Sequence, residues 1–226
     1  MATTRKSKRG GRKSKAARKS AAKKTTKKVA RKKTAAKGAA RKRTAAKRGA
    51  VLFYGDAKCV KCHSGNLLTD QLYHNITTPQ VGPGRGMVAP ADIGRSAVTT
   101  DSADDYAFRT PPLRGTTETG PWMHDGAYTT LRAAIEHHVD PAASLLNYDN
   151  SQLSAAMQPL VLDDSTTLNA MIAALDDDAG AIFLDVGDVN DLLAFMDALT
   201  DEASRDMSAL VPSSVPSGLP VDGAAP

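Results

Sequence analysis

The first fifty residues contain no acidic side chain. All 24 Asp and Glu come after them, whereas 22 of the 30 Lys and Arg lie within them. The net charge of +6 therefore hides two unlike parts, because residues 51–226 hold 8 basic against 24 acidic side chains, a formal −16. Such asymmetry marks an appended basic tail rather than an evenly basic protein. The tail also lacks aromatic residues, and Met1 and Val29 are its only larger apolar ones. With so little to bury it cannot offset its chain entropy, so residues 1–48 are expected to be disordered when free. No apolar run of about 18 residues occurs anywhere, which excludes a membrane-spanning helix. No apolar stretch of about 7–15 residues lies near the N-terminus, so no export signal is visible. Cysteine is scarce as well: there are two, three positions apart, and a structural disulfide framework is excluded.

Both cysteines sit in "AKCVKCHSG", residues 57–65, with His63 directly after the second. A thioredoxin-like redox pair wants a βαβ context, and no convincing alternating strands surround the motif. A structural zinc site wants four ligands, and the only other close pair, His137 and His138, is adjacent rather than three to five apart. Cys-x-x-Cys followed at once by His is the attachment signature of haem c. There, two thiols bond the haem vinyl groups and the histidine reaches the iron from one side. The haem reading is favoured, with zinc and redox readings as its rivals. His63 is then the proximal ligand.

Around the motif, residues 64–128 are rich in Gly, Pro, Thr and Asp, with "GPGRG" at 82–86 and "TPPL" at 110–113. Those breakers exclude long helices there. So much loop inside a compact domain is expected only where a large cofactor serves as the core. Helices are expected at about 130–139, capped by Thr129 or Thr130 and ended by Asp140-Pro141, at about 188–200, and more weakly at 166–177. The fold class is mostly α: a c-type cytochrome domain over residues 49–226, with long ordered loops around haem, behind a disordered basic tail.

A sixth iron ligand is the next question. His74, His124, His137, His138, Met123 and Met196 are the candidates. Met196 reads as core filler, and His74 and His137 read as plain surface residues. Leu131, Ala134, Ile135 and His138 fall at i, i+3, i+4 and i+7, one helix face. A histidine on that buried face is costly without a partner, and iron would supply one. His138 is therefore the first choice and Met123 the second.

The segments "CVKCHSGNLLTDQLYHNI", "DIGRSAVTTDSADDYAFRTPPLRGTTETGPWMHDGAYTTLRAAIEHH" and "LLAFMDALTDEASRDMSALVPSSVPSGLPVDG" resemble the C-terminal haem domain of bacterial di-haem cytochrome c peroxidases. The di-haem enzymes that mature tryptophan tryptophylquinone share the pattern. The resemblance covers about residues 48–226. It implies one covalent haem c on Cys59 and Cys62, with His63 proximal and His138 at the place of the family's distal Met or Tyr. It also implies a calcium ion near the backbone carbonyls of Thr119 and Pro121, and haem propionates near Arg109 and Arg114. A surface salt bridge is the plainer reading of those two arginines. By the same resemblance the protein is an oxidoreductase of the peroxidase type, outside the cytoplasm, fed by a small cytochrome c or cupredoxin.

Three departures qualify that expectation. The basic tail stands where the family's N-terminal, peroxide-cleaving haem domain would be, so a separate peroxidatic haem protein is an expected partner. His138 in place of Met or Tyr implies a low-spin iron with two histidines and no open position. Residues around 163–187 read as an insertion whose "DDD" is a solvated acidic loop rather than a cation site. The tail itself resembles those of linker histones. It suits nucleic acid or another polyanion, because its charges would release phosphate counterions without reading sequence. A nucleic-acid-binding protein with a passenger haem domain is thus the rival to a redox protein.

Overall fold

The structure is a computed structural model and describes residues 15–84, 89–219 and 221. Residues 1–14 of the tail, Arg85 and Gly86 of "GPGRG", Pro220 and residues 222–226 lie outside it. The chain divides into two units, Met1–Arg43 and Thr44–Pro226. In the first, residues 15–43 belong to a helix, α1 (Lys15–Tyr54), and the side chains at 36–43 are exposed. Ala, Lys and Arg are good helix formers. No acidic residue is present there to pair with them, which bears on the disorder expected of the free tail.

The second unit begins with the last turns of α1. Arg48 donates to both carboxylate oxygens of Asp191, at 2.5 and 2.6 Å. Phe53 is fully buried, with its ring 5.2 Å from that of Phe195. Asp191 and Phe195 lie on α6 (Val186–Ala198). Gly49 permits this approach, since a Cβ there would stand 1.9 Å from the Asp191 carbonyl oxygen. Phe53, Ala57, Leu68, Leu192 and Met196 form the core, and Cys59, Val60, Leu131 and Ile135 pack against it.

The remaining elements are short. α2 (Ser96–Thr99) is one turn within the irregular region. α3 (Leu131–Val139) starts where Thr130 Oγ1 accepts from the Ala133 amide. Asp140 ends it and caps α4 (Pro141–Leu146) by accepting from the Ala143 amide at 3.0 Å. α5 (Ser165–Ala173) is capped by Asp164. α6 starts earlier than apolar spacing indicated, at a capping box in which Asp185 and Asp188 each accept the other's backbone N–H.

Strands are limited to two antiparallel pairs. β1 (Tyr73–His74) joins β3 (Phe108–Arg109), and β2 (Gln80–Val81) joins β4 (Val161–Leu162). The loops between them are pinned side chain to backbone: Thr69 Oγ1 donates to the Thr110 carbonyl at 2.7 Å, and the Thr110 amide to the Leu72 carbonyl at 2.9 Å. The fold is mostly α with much irregular chain, as its Gly and Pro content indicated.

The insertion is not a free loop. Asn75 Nδ2 donates to the Met171 carbonyl, the Asp176 amide to the Asn75 carbonyl, and the Ile182 amide to the Val139 carbonyl. Ile182 and Leu184 reach the core. The C-terminal stretch after α6 carries two short 3-10 turns, Glu202–Arg205 and Ser208–Leu210. Among the described residues no helix is long and apolar enough to cross a membrane.

Candidate functional site

The cysteine motif is one helical turn. Lys58 enters it with φ 56°, and the amides of Cys62 and His63 both donate to the Cys59 carbonyl. Three-residue spacing on such a turn sets the two thiols on one side. Both are free, and burial, the first cause in each case, pushes each thiol up to about 11. A dithiol redox pair depends on a lowered thiol pKa, and a zinc site on thiolates. The two half-buried thiols are held neutral in the folded chain, which does not favour a dithiol redox pair.

The histidines sort into three kinds. His137, expected at the surface, is fully buried. Its Nε2 lies 2.7 Å from the Ile76 carbonyl, which can only accept, so Nε2 carries the hydrogen. Nδ1 is then an acceptor for the Tyr128 hydroxyl at 2.9 Å, and Tyr128 accepts in turn from Ser144 at 3.0 Å. Burial, and then the charge of His138, hold His137 down to about 3. Both of its nitrogens are used, and it has none to offer iron.

His63 and His138 are the opposite case. His63 Nδ1 lies 3.1 Å from the Leu68 carbonyl, and His138 Nδ1 lies 2.7 Å from the Ala134 carbonyl one turn back. Each Nδ1 must donate, which leaves the Nε2 lone pair as the ligating position of each ring. At His138 the Ala134 carbonyl is the hydrogen-bond partner among the described residues, whereas His63 also takes a backbone hydrogen bond at Pro111. Burial lowers both rings, and the His138 charge is the second cause that brings His63 down to about 4. The two rings therefore lie close enough to feel each other, and both are neutral at pH 7. The His138 side chain keeps exposed surface, although the apolar spacing of α3 placed it on a buried face. Leu131 and Ile135, on its face of α3, pack against the same core cluster as Cys59 and Val60.

The other candidates are accounted for. Met196 is buried core. Met123 sits at φ 72° in a turn and packs beside Tyr128. His124 stacks on Phe108 with ring centroids 3.5 Å apart. Arg109 donates to Gln71 Oε1 at 2.5 Å, and Arg114 to the Asn66 carbonyl at 2.8 Å. Both arginines are thus anchored to the loop after the motif, and the surface salt bridge does not form among the described residues. Thr119 and Pro121 are exposed at a turn with a cis Gly120–Pro121 bond.

His74 was missed as a site residue by the sequence. Its Nδ1 lies 2.7 Å from Asp176 and its Nε2 2.9 Å from Asp70. Asp178 of the same acidic run pairs with Lys61. Cys62, Asp70 and His74 bring their donor atoms within 4.8 Å of one another, the convergence a metal ion needs. A carboxylate only accepts, however, so both ring nitrogens must donate and His74 is an imidazolium with no lone pair for a metal. Burial alone would lower its pKa, but the hydrogen bonds to Asp176 and Asp70 outweigh burial and hold it above the ordinary value. Asp70 and Asp176 are held below theirs by the same ring, against their own burial. The i,i+4 spacing of Asp70 and His74 is visible in the sequence; the arrival of Asp176 is not.

No family model matches the chain. Among curated proteins it is 39% identical over 94 residues to the methylamine utilization protein MauG of Methylorubrum extorquens, covering 41% of this chain and 24% of that one. It is 31% identical over 152 residues to the cytochrome-c peroxidase IdrP1 of a Pseudomonas species, covering 57% and 39%. It is 35% identical over 80 residues to the cytochrome c551 peroxidase of Pseudomonas aeruginosa, covering 35% and 23%. The chain thus spans well under half the length of these relatives. Of the solved structures, a MauG-like protein associated with microbial copper homeostasis superimposes with a TM-score of 0.53 at 27% identity, over 72% of this chain and 49% of that one. The chain is similar in sequence to MauG and cytochrome c peroxidases and shares a fold with the MauG-like protein.

Proposed function

We propose that residues 49–226 are a haem c redox domain that passes electrons toward peroxide reduction. The observation that carries this reading is the pair His63 and His138, each neutral and each with Nδ1–H spent on a backbone carbonyl. The donor set fits haem c: two neutral imidazoles whose Nδ1–H groups are held by backbone carbonyls, beside two thiols on one turn. Haem c, when bound, supplies an iron that takes and gives single electrons.

The chain's own residues set the terms. Cys59 and Cys62 hold the group as thioethers. The Leu68 and Ala134 carbonyls fix the tautomers of His63 and His138 and make each ring more basic toward iron. Ligation by both His63 and His138 would leave no open position for peroxide, so the domain would conduct electrons and a separate peroxidatic haem protein would perform the cleavage. Arg109 and Arg114, held on the loop after the motif, would serve the propionates. The backbone carbonyls of Thr119 and Pro121 contribute to a calcium site. The electron donor is a small cytochrome c or cupredoxin outside the cytoplasm.

The tail serves a partner of opposite charge. A helix that is cationic all round, with no acidic partner at i±4, repels itself. Residues 15–48 would take up their helix along a polyanion, nucleic acid being the first candidate. Replacing Lys37, Arg41, Lys42, Arg43 and Lys47 by Gln in the full chain is expected to weaken duplex binding and flatten its salt dependence. Unchanged affinity contradicts this role.

Attachment is tested with Cys59→Ala and Cys62→Ala. Each is expected to lose one thioether, read as a shifted pyridine haemochrome band and a changed covalent mass. Full-length protein with no covalent haem after production with a maturation system overturns the reading.

A further inference from the structure

The haem reading leaves the His74 cluster without a role. Its side chain is 17% exposed, between Asp70 at 15% and Asp176 at 29%. Three segments meet there. Asp70 belongs to the loop after the attachment motif, and its amide donates to the Cys62 carbonyl at 2.8 Å. His74 lies on β1, opposite Phe108 of β3. Asp176 comes from the insertion, 102 positions further along the chain. The cluster lies against Cys62, one of the two attachment points.

We propose that His74, held between Asp70 and Asp176 beside Cys62, is a positioning residue whose proton is linked to the electron on the haem centre. The proposal rests on the haem reading above. Its geometry does two things. The imidazolium holds residues 171–178 of the insertion against the attachment motif, together with the Lys61–Asp178 pair and the Asn75 contacts. It also places an exchangeable charge at the edge of the redox centre, where part of its surface reaches water. When a donor protein gives one electron to the iron, the centre gains one negative charge, which raises the affinity of the ring for a proton. Where the oxidised protein holds His74 neutral, one proton enters from solvent with each electron. Only the donor is oxidised.

The other charges that face the ring are few. Asp70 and Asp176 touch it directly. Lys61, paired with Asp178, acts on Asp176 from the motif side, and Thr110 adds a hydrogen bond to Asp70. The Cys62 sulfur is uncharged, either as a buried thiol or as a thioether. Linkage has a definite direction. Below the pKa of His74 in the oxidised protein the potential does not depend on this group. Above it, and up to the pKa in the reduced protein, the potential falls as pH rises.

The test is a spectroelectrochemical titration of the full-length protein at a series of pH values, after a pyridine haemochrome assay has shown covalent haem. Wild type is expected to show a flat interval and then a falling one. In His74→Gln the falling interval is expected to vanish. Asp176→Asn keeps the ring but removes one negative charge beside it, so the falling interval is expected to start at lower pH; this variant carries the test if the Gln protein does not fold. A wild-type potential that is flat throughout, or a falling interval unmoved in the folded variants, overturns the inference while leaving the haem reading intact. Absence of covalent haem overturns both.

Discussion

His137 and His138 are neighbours in sequence with opposite assignments, and hydrogen bonds separate them. His137 has both nitrogens engaged, by Tyr128 and by the Ile76 carbonyl, whereas His138 engages only Nδ1. Helix periodicity put His138 on one face with Leu131 and Ile135, because that face is a local property of α3, but the structure leaves the His138 side chain exposed. Periodicity could not show that His137 was buried, because Tyr128, Ser144 and Ile76 converge only in the folded chain. His137→Leu is expected to leave the Ile76 carbonyl without its imidazole donor, to take one of two partners from the Tyr128 hydroxyl, and to cost about 1–3 kcal/mol. Chemical denaturation measures that loss, and the haem spectrum should not change. His138→Ala is expected to do the reverse: a modest change in stability, and conversion of a low-spin spectrum to a high-spin one. The depressed pKa values of His63 and His137 fix a sign as well. Both rings are neutral when folded and more readily protonated when unfolded, so their contribution is complete above the ordinary histidine value of 6.5. It is lost as pH falls through about 4 for His63 and about 3 for His137. The melting midpoint of the haem-free chain should therefore drop between pH 6.5 and 4, and less steeply in His137→Leu. A midpoint that rises on acidification would contradict the neutral assignments.

At the scale of elements, what sequence showed depended on how local the cause was. Thr130 and Asp140-Pro141 bounded α3 correctly because caps are read within a few residues. The start of α6 was placed too late because apolar spacing begins at Val189, whereas the capping box begins at Asp185. Asp185→Ala is expected to cost about 1 kcal/mol, measured by denaturation. The α1–α6 contact was not legible at all, since nothing near Gly49 announces Asp191. There, Gly49→Ala forces a Cβ to within 1.9 Å of a backbone oxygen. A cost of about 1–3 kcal/mol is expected, as for overpacked cores. The ion pair of Arg48 with Asp191 adds less, because Arg48 is 60% exposed and water screens it. The paired strands were missed because each is two residues long, below any period that a sequence can display.

For the whole molecule, charge distribution was the most legible property and the insertion the least. The absence of acidic residues before residue 51 sets the tail apart without any structure. The acidic run 176–178, by contrast, read as solvated loop, and two of its members instead fasten it to the attachment motif through His74 and Lys61. What governs the function is whether the His63–His138 pair closes the redox centre on both sides. The measurement that addresses this most directly is an electron paramagnetic resonance spectrum of the ferric full-length protein, recorded before and after addition of peroxide. The account predicts a low-spin signal that peroxide leaves unchanged. A high-spin signal consumed by peroxide would contradict it, and would make this chain a peroxidase in its own right with His138 away from the iron.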